Sequence, residues 1–294
     1  MTAKTEGQRN RTEVCAIDCW VNVNIVPAGQ ETPEYVTRVA EDYFKRSTDF
    51  FKEFSADELI ALMDRIGVEK AVVNVSAERP SEKILAFPKA YPGRFFLAVM
   101  PDVRRGMSAL WALEDLVKHH PVVMARVAPM MFDLPHDDRM YYPLYAKCIE
   151  LDLPLSMNTG LPGPPIPGEC QNPIHLDRVC YTFPELKISM AHGADPWWGI
   201  AMRLMIKYKN LHLMTSAYAP RYFPPEFVHF MNTRGQDKII FASDHPALPM
   251  ERCMKEAQEL DLREGVLDKF LYQNAERLFF SPRKSRYSLS GSAP

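Results

Sequence analysis

Several polar side chains stand where short apolar runs end, and their types suit proton transfer and the recognition of small molecules. The first run, 14–23, carries Asp18, Trp20 and Asn22. The two-residue repeat of an extended strand places these three on one face, with Ile17, Cys19 and Val21 on the other. The run 122–127 is apolar except for Arg126, and the run 153–158 ends in Asn158. The run 186–191 leads into His192-Gly193, and the run 238–243 into Asp244-His245-Pro246. A histidine and an aspartate brought together act as a base and the group that orients it, or as two separate proton-transfer groups. His192 and Asp244 are the candidate catalytic pair. Asn22 and Asn158 carry amide N–H donors suited to a developing oxyanion. The planar fork of Arg126 suits a carboxylate, and Trp20 and Trp197 offer flat faces on which a ring would stack.

Each of these has a plainer reading. Asp18 and Arg126 suit ion pairs of the scaffold, and Asn22 and Asn158 suit loop backbone. Asp244 stands where a helix N-cap would. Of the neighbours Trp197 and Trp198, one suits helix packing and the other a pocket wall. His192, between Ala191 and Gly193, is poorly placed to fill a core.

The elements that must position these residues follow a rhythm. Apolar runs at 14–23, 70–75, 95–100, 122–127, 153–158, 186–191, 211–215 and 238–243 alternate with amphipathic segments, the pattern of βα units around a parallel sheet. Eight such units favour closure into a (β/α)8 TIM-like barrel over an open doubly wound sheet. In such a barrel the C-terminal strand ends build the site. Ser55-Ala-Asp-Glu58 has the form of a capping box before an apolar helix face. The stretch 159–173 is too rich in proline and glycine for a helix and reads as a long ordered loop, able to lid a pocket or join subunits. One domain is expected over 14–280, with flexible ends at 1–13 and 281–294.

Composition excludes several function classes. The chain has 294 residues, 35 Lys and Arg against 37 Asp and Glu, and no basic stripe, so nucleic acid is not an expected partner. No apolar run approaches the roughly 20 residues that span a bilayer. The polar first 14 residues do not read as a signal peptide. The six cysteines have no zinc-finger or redox spacing and read as free thiols of a cytoplasmic protein. A small molecule is the expected partner, and a homodimer the expected assembly.

Four segments carry a resemblance. Met190-Ala-His-Gly-Ala-Asp-Pro-Trp-Trp198, Tyr208-Lys-Asn-Leu-His-Leu-Met-Thr-Ser216, Lys238-Ile-Ile-Phe-Ala-Ser-Asp-His-Pro246 and Asn274-Ala-Glu-Arg-Leu-Phe279 resemble motifs of the amidohydrolase-related family. That family includes aminocarboxymuconate-semialdehyde decarboxylase and the resorcylate-type decarboxylases. The match runs from about residue 14 to 280, specific in the C-terminal half and mainly rhythmic in the N-terminal half. The resemblance implies an amidohydrolase-type barrel, with His192 as the histidine that polarises substrate or water and Asp244 at the last metal-ligand position. The departures are in the metal centre. The family's opening Asp-x-His-x-His is Asp18-Cys19-Trp20-Val21-Asn22 here, and Asn158 stands at its fifth-strand histidine. Indole nitrogen only donates hydrogen bonds, and zinc asks for three nitrogen, sulfur or carboxylate ligands. The expectation is a site with no metal and no other cofactor. Its first expected activity is hydrolysis of a small carboxylated or cyclic molecule, with His192 and Asp244 moving protons. The alternatives are decarboxylation or another carbon–carbon cleavage, and ligand binding without catalysis.

Overall fold

Eight parallel strands in the order β1-β2-β3-β4-β5-β6-β7-β8 form the centre of the computed structural model, which describes residues 14–26, 31–45 and 48–283. They are β1 (Ala16–Val21), β2 (Val68–Ser76), β3 (Phe95–Met100), β4 (Val122–Val127), β5 (Leu155–Asn158), β6 (Ile188–Ala191), β7 (Leu211–Met214) and β8 (Ile239–Ile240). The sheet closes on itself. Cys19 N–H donates to the Phe241 carbonyl, Asp244 N–H to the Trp20 carbonyl and Asn22 N–H to the His245 carbonyl. The molecule is therefore a (β/α)8 TIM barrel, as the eight apolar runs imply. The expected flexible ends lie outside the described residues, apart from 281–283.

The strands form because β-branched and other apolar side chains pack on both faces of a buried parallel sheet. The helices are α1 (Glu34–Arg38), α2 (Ala56–Ile66), α3 (Glu82–Ala90), α4 (Met107–His119), α5 (Tyr142–Glu150), α6 (His175–Thr182), α7 (Trp198–Lys207), α8 (Pro225–Met231) and α9 (Met250–Gln258), and all but α1 bury apolar side chains. Helix α2 begins with the expected capping box between Ser55 and Glu58 and ends at Gly67, whose left-handed φ of 79° favours glycine. A Cβ there would lie 2.3 Å from the Val14 carbonyl oxygen. Among the described residues no helix is long and apolar enough to cross a membrane.

Two differences from the sequence pattern bear on the site. Strand β1 does not alternate strictly. Its register to β2 slips between Ala16 and Ile17 and again between Asp18 and Val21, so Ile17 and Trp20 join one apolar cluster that strict alternation would divide. Irregular pairing of this kind re-aims side chains near a site. Strand β8 is also shorter than the 238–243 run, because the Phe241 N–H turns to the Phe270 carbonyl instead of a strand neighbour. The backbone carrying Ser243 and Asp244 continues beyond the strand, held by the Asp244 N–H on the Trp20 carbonyl and the Ala217 N–H on the Ser243 carbonyl.

Candidate active site

The C-terminal ends of β5 to β8 are held in unusual backbone. Gly160 has φ 84°, and three residues with side chains share that left-handed region: His192 (φ 67°), Ala217 (φ 61°) and Asp244 (φ 70°). Non-glycine residues pay about 1–2 kcal/mol there. His192, Ala217 and Asp244 all line one cavity of about 220 Å3, so strain and cavity coincide, as they do at many functional sites. The walls come from the 31–51 segment (Tyr35, Val39, Phe44, Phe50) and from the proline-rich loop (Leu161, Pro162). The loop thus forms part of the pocket wall.

Asp244 is partly exposed to this cavity. Its Oδ1 accepts a hydrogen bond from Asn22 Nδ2 at 2.8 Å. Burial raises its pKa to about 7, against the pull of the Asn22 hydrogen bond and the Arg126 charge. The carboxyl therefore changes protonation near neutral pH, a property suited to an acid or base. His192 is moved the other way, to about 3, first by burial and then by the Arg126 charge. Its imidazole is neutral at physiological pH. No hydrogen bond or ion pair joins His192 to Asp244 among the described residues. They face the cavity as two separate groups, and Asp244 is oriented by Asn22.

Beneath them lies a buried cation. Arg126 is fully buried, and its guanidinium carbon sits 3.4 Å from the centroid of the Trp20 ring. The Trp20 ring also packs beside the His192 ring, 4.3 Å between centroids. Arg126 Nη2 donates to the Cys19 carbonyl at 2.9 Å and Nε to Ser156 Oγ at 3.4 Å. Its Nη1 donates to Asn74 Oδ1. Asn74 Nδ2 donates in turn to Asn22 Oδ1 at 2.7 Å, and Asn22 passes the chain to Asp244. A guanidinium only donates and a carboxylate oxygen accepts, so the two ends fix the orientation of both amides between them. Burial pushes the Arg126 pKa down to about 9, which leaves it charged at neutral pH.

A second, larger cavity of about 890 Å3 adjoins the first and is lined by Trp20, Asn22, Asn74 and Arg126 among others. The structure thus brings together His192, Asp244, Trp20, Asn22 and Arg126. Asn158 is buried at the end of β5 with its Oδ1 unpartnered, and Trp20 Nε1 and His192 Nδ1 are likewise unpartnered. Buried polar atoms left unmet by the protein are atoms a polar ligand or water would satisfy. Trp197 lines neither cavity. It stands at the N-terminus of α7, and its neighbour Trp198 packs in the core against Tyr218 and Phe227. Asp18 is a closure residue: its Oδ1 accepts the Ser243 N–H at 2.9 Å, tying β1 to the chain after β8. Burial raises its pKa to about 6, against its hydrogen bonds from Ser243 and Trp20. His136 is also structural, buried with Nε2 2.8 Å from the Asn158 carbonyl.

Sequence reasoning missed Asn74 and the wall residues of the 31–51 segment. A single asparagine inside Val72-Val73-Asn74-Val75 is a signal of the same kind as Arg126 in its strand. The spacing of Val36, Val39 and Tyr43 is that of one helix face, which a polar reading of that segment hides.

The donor set does not fit a divalent metal. The positions that the family resemblance marks for ligands hold an indole, two amides and one carboxylate. Asn22 turns its N–H toward Asp244 and its oxygen toward Asn74. The Arg126 guanidinium beside Trp20 adds a nearby positive charge that repels a dication. Among the described residues no three His, Cys, Asp or Glu side chains are grouped to hold an ion.

The sequence pattern of the amidohydrolase family matches residues 17–280. No protein of curated function matches the chain. Similar solved structures include an uncharacterized TIM-barrel protein from Bordetella bronchiseptica, 22% identical, TM-score 0.69, covering 90% of this chain and 98% of its own. The 2,6-dihydroxybenzoate decarboxylase from Rhizobium is 18% identical, TM-score 0.66, covering 91% and 98%. A 5-carboxyvanillate decarboxylase from Novosphingobium aromaticivorans, complexed with manganese and 4-hydroxy-3-methoxy-5-nitrobenzoic acid, is 15% identical, TM-score 0.66, covering 94% and 98%. At these identities the likeness is one of fold.

Proposed function

The chain belongs to the amidohydrolase family, and from that premise we propose that it is a decarboxylase of small cyclic or aromatic acids that works without a metal. The observation that carries this reading is the Asp244 carboxyl. It is oriented by Asn22, opens onto the cavity and holds a proton up to about pH 7. Decarboxylation needs a proton delivered to carbon. Protonated Asp244 gives its proton to the ring carbon that bears the carboxylate. The bond from that carbon to the carboxylate then breaks, its electron pair returns to the ring, and carbon dioxide leaves. Asp244 regains its proton from solvent. Neutral His192 hydrogen-bonds a substrate hydroxyl or carbonyl, and the Trp20 ring, packed beside His192, offers a flat face at the edge of the site. The structures of similar fold that decarboxylate hydroxylated benzoates support the reaction class.

Hydrolysis is the second reading, favoured by His192 and Asp244 sharing one cavity. Ionised Asp244 would then take a proton from water. The two differ in which form of Asp244 works. The test is carbon dioxide release from a panel of hydroxybenzoic acids, with a chelator present and with Asp244→Asn and His192→Ala as controls. Release that survives chelation and is lost in both variants is the expected result. Release restored only by added manganese would overturn the reading.

A further inference from the structure

The two cavities of the barrel mouth have opposite chemistry. Among the described residues, the smaller, which holds His192 and Asp244, is lined by no Lys or Arg. Its charged described residues are Asp195 and Asp244, and most of its described wall is aromatic or aliphatic. The larger is lined by Arg79, Arg104, Arg105 and Arg126, together with Glu53, Glu78 and Asp102. Two of these acids are matched by cations. Asp102 pairs with Arg104 at 2.9 Å, and Glu53 pairs with Lys83 at 2.8 Å. Glu78 takes the Asp102 backbone N–H at 2.8 Å. That leaves Arg79 and Arg105 exposed at the rim with no direct ion pair among the described residues, above the buried charge of Arg126.

The cavities meet along a short boundary. Trp20 and Asn22 line the larger, His192 and Asp244 the smaller, and Ile25 lines both. Trp20 touches His192, and Asn22 is bonded to Asp244. A ligand reaching the proton-transfer groups from the apolar side therefore finds its cations only across that boundary.

We propose that the substrate is bipartite: an apolar ring in the smaller cavity, and a separate oxyanion head group held by Arg79 and Arg105 in the larger one. This rests on the reading of His192 and Asp244 as the reacting end and adds the part of the molecule that does not react. The arginine forks grip a carboxylate or phosphate through paired N–H donors. The grip fixes the ring over the boundary, so that binding energy from a remote group positions the reacting one. A reacting carboxylate in the smaller cavity meets no Lys or Arg among the described residues, and loses no ion pair with them on becoming neutral carbon dioxide.

Calorimetric binding of phenylbutanoate, phenylbutyl phosphate and phenylbutanol tests this without turnover. The three share the ring and differ in the head group. The carboxylate or the phosphate should bind at least about tenfold more tightly than the alcohol at low salt, and whichever anion binds more tightly identifies the head group. The paired substitutions Arg79→Gln and Arg105→Gln, at exposed positions, should remove that advantage and leave the alcohol unchanged. The advantage should persist in His192→Ala. Equal binding of all three probes, or an anion advantage that survives the double substitution, overturns the proposal. Because no step reads catalysis, loss of the decarboxylase reading and loss of the head-group site are separate results.

Discussion

Asp244 and Arg126 set the chemistry at the residue scale, and their effects have opposite readouts. Burial holds the Asp244 carboxyl protonated well above its usual range, to about pH 7. If the protonated form is the donor, kcat/KM is level below that pH and falls about tenfold for each unit above it. If the ionised form is a base toward water, kcat/KM instead rises about tenfold per unit up to that pH and is level above it. A pH–rate profile therefore separates decarboxylation from hydrolysis by sign alone. Asn22→Ala removes the donor that orients and stabilises ionised Asp244, so the limb should move to higher pH. Arg126 is a stability residue as well. Replacing it with methionine leaves the Cys19 carbonyl and the Asn74 oxygen buried without a donor. The expected cost is about 1–3 kcal/mol for the acceptors left unmet, read as a lower urea midpoint. Lysine should not restore it, since one ammonium cannot stack on Trp20 and reach Ser156, Asn74 and Cys19 together.

At the element scale, strain and capping make distinct predictions. Ala217 sits at φ 61° at the end of β7, so Ala217→Gly should raise stability by about 1 kcal/mol, against the usual direction of glycine substitutions. Ser55→Ala removes the cap of α2 and should cost about 1 kcal/mol. Thermal unfolding of the two variants checks both. The strands were legible because buried parallel strands are continuous apolar runs: β3 and β4 have the bounds their sequences imply. The capping box was legible because its residues act within one turn. The slip in β1 and the early end of β8 were not, because each depends on a partner far along the chain. The same holds for the site. His192 and Asp244 stand out as polar residues at strand ends. The chain of amides from Arg126 to Asp244 joins β4, β2, the end of β1 and the end of β8, and no local pattern announces it.

At the scale of the whole molecule, the barrel solves one problem in an unusual way. Its family resemblance implies a metal at the floor of the mouth. This chain builds a buried guanidinium there, flanked by indole, amide and carboxyl groups. Arg126 lies deep in the larger cavity, with Arg79 and Arg105 exposed in it beside Glu53, Glu78 and Asp102. The central claim is that the arginine charge, and no divalent ion, serves the site. The direct measurement is titration of manganese into metal-stripped protein, followed by the resonance signal of the free ion. The account predicts no saturable binding tighter than about 1 mM, in the parent chain and in Asp244→Asn alike. Binding of about one ion per chain at micromolar levels, abolished by Asp244→Asn, would contradict it.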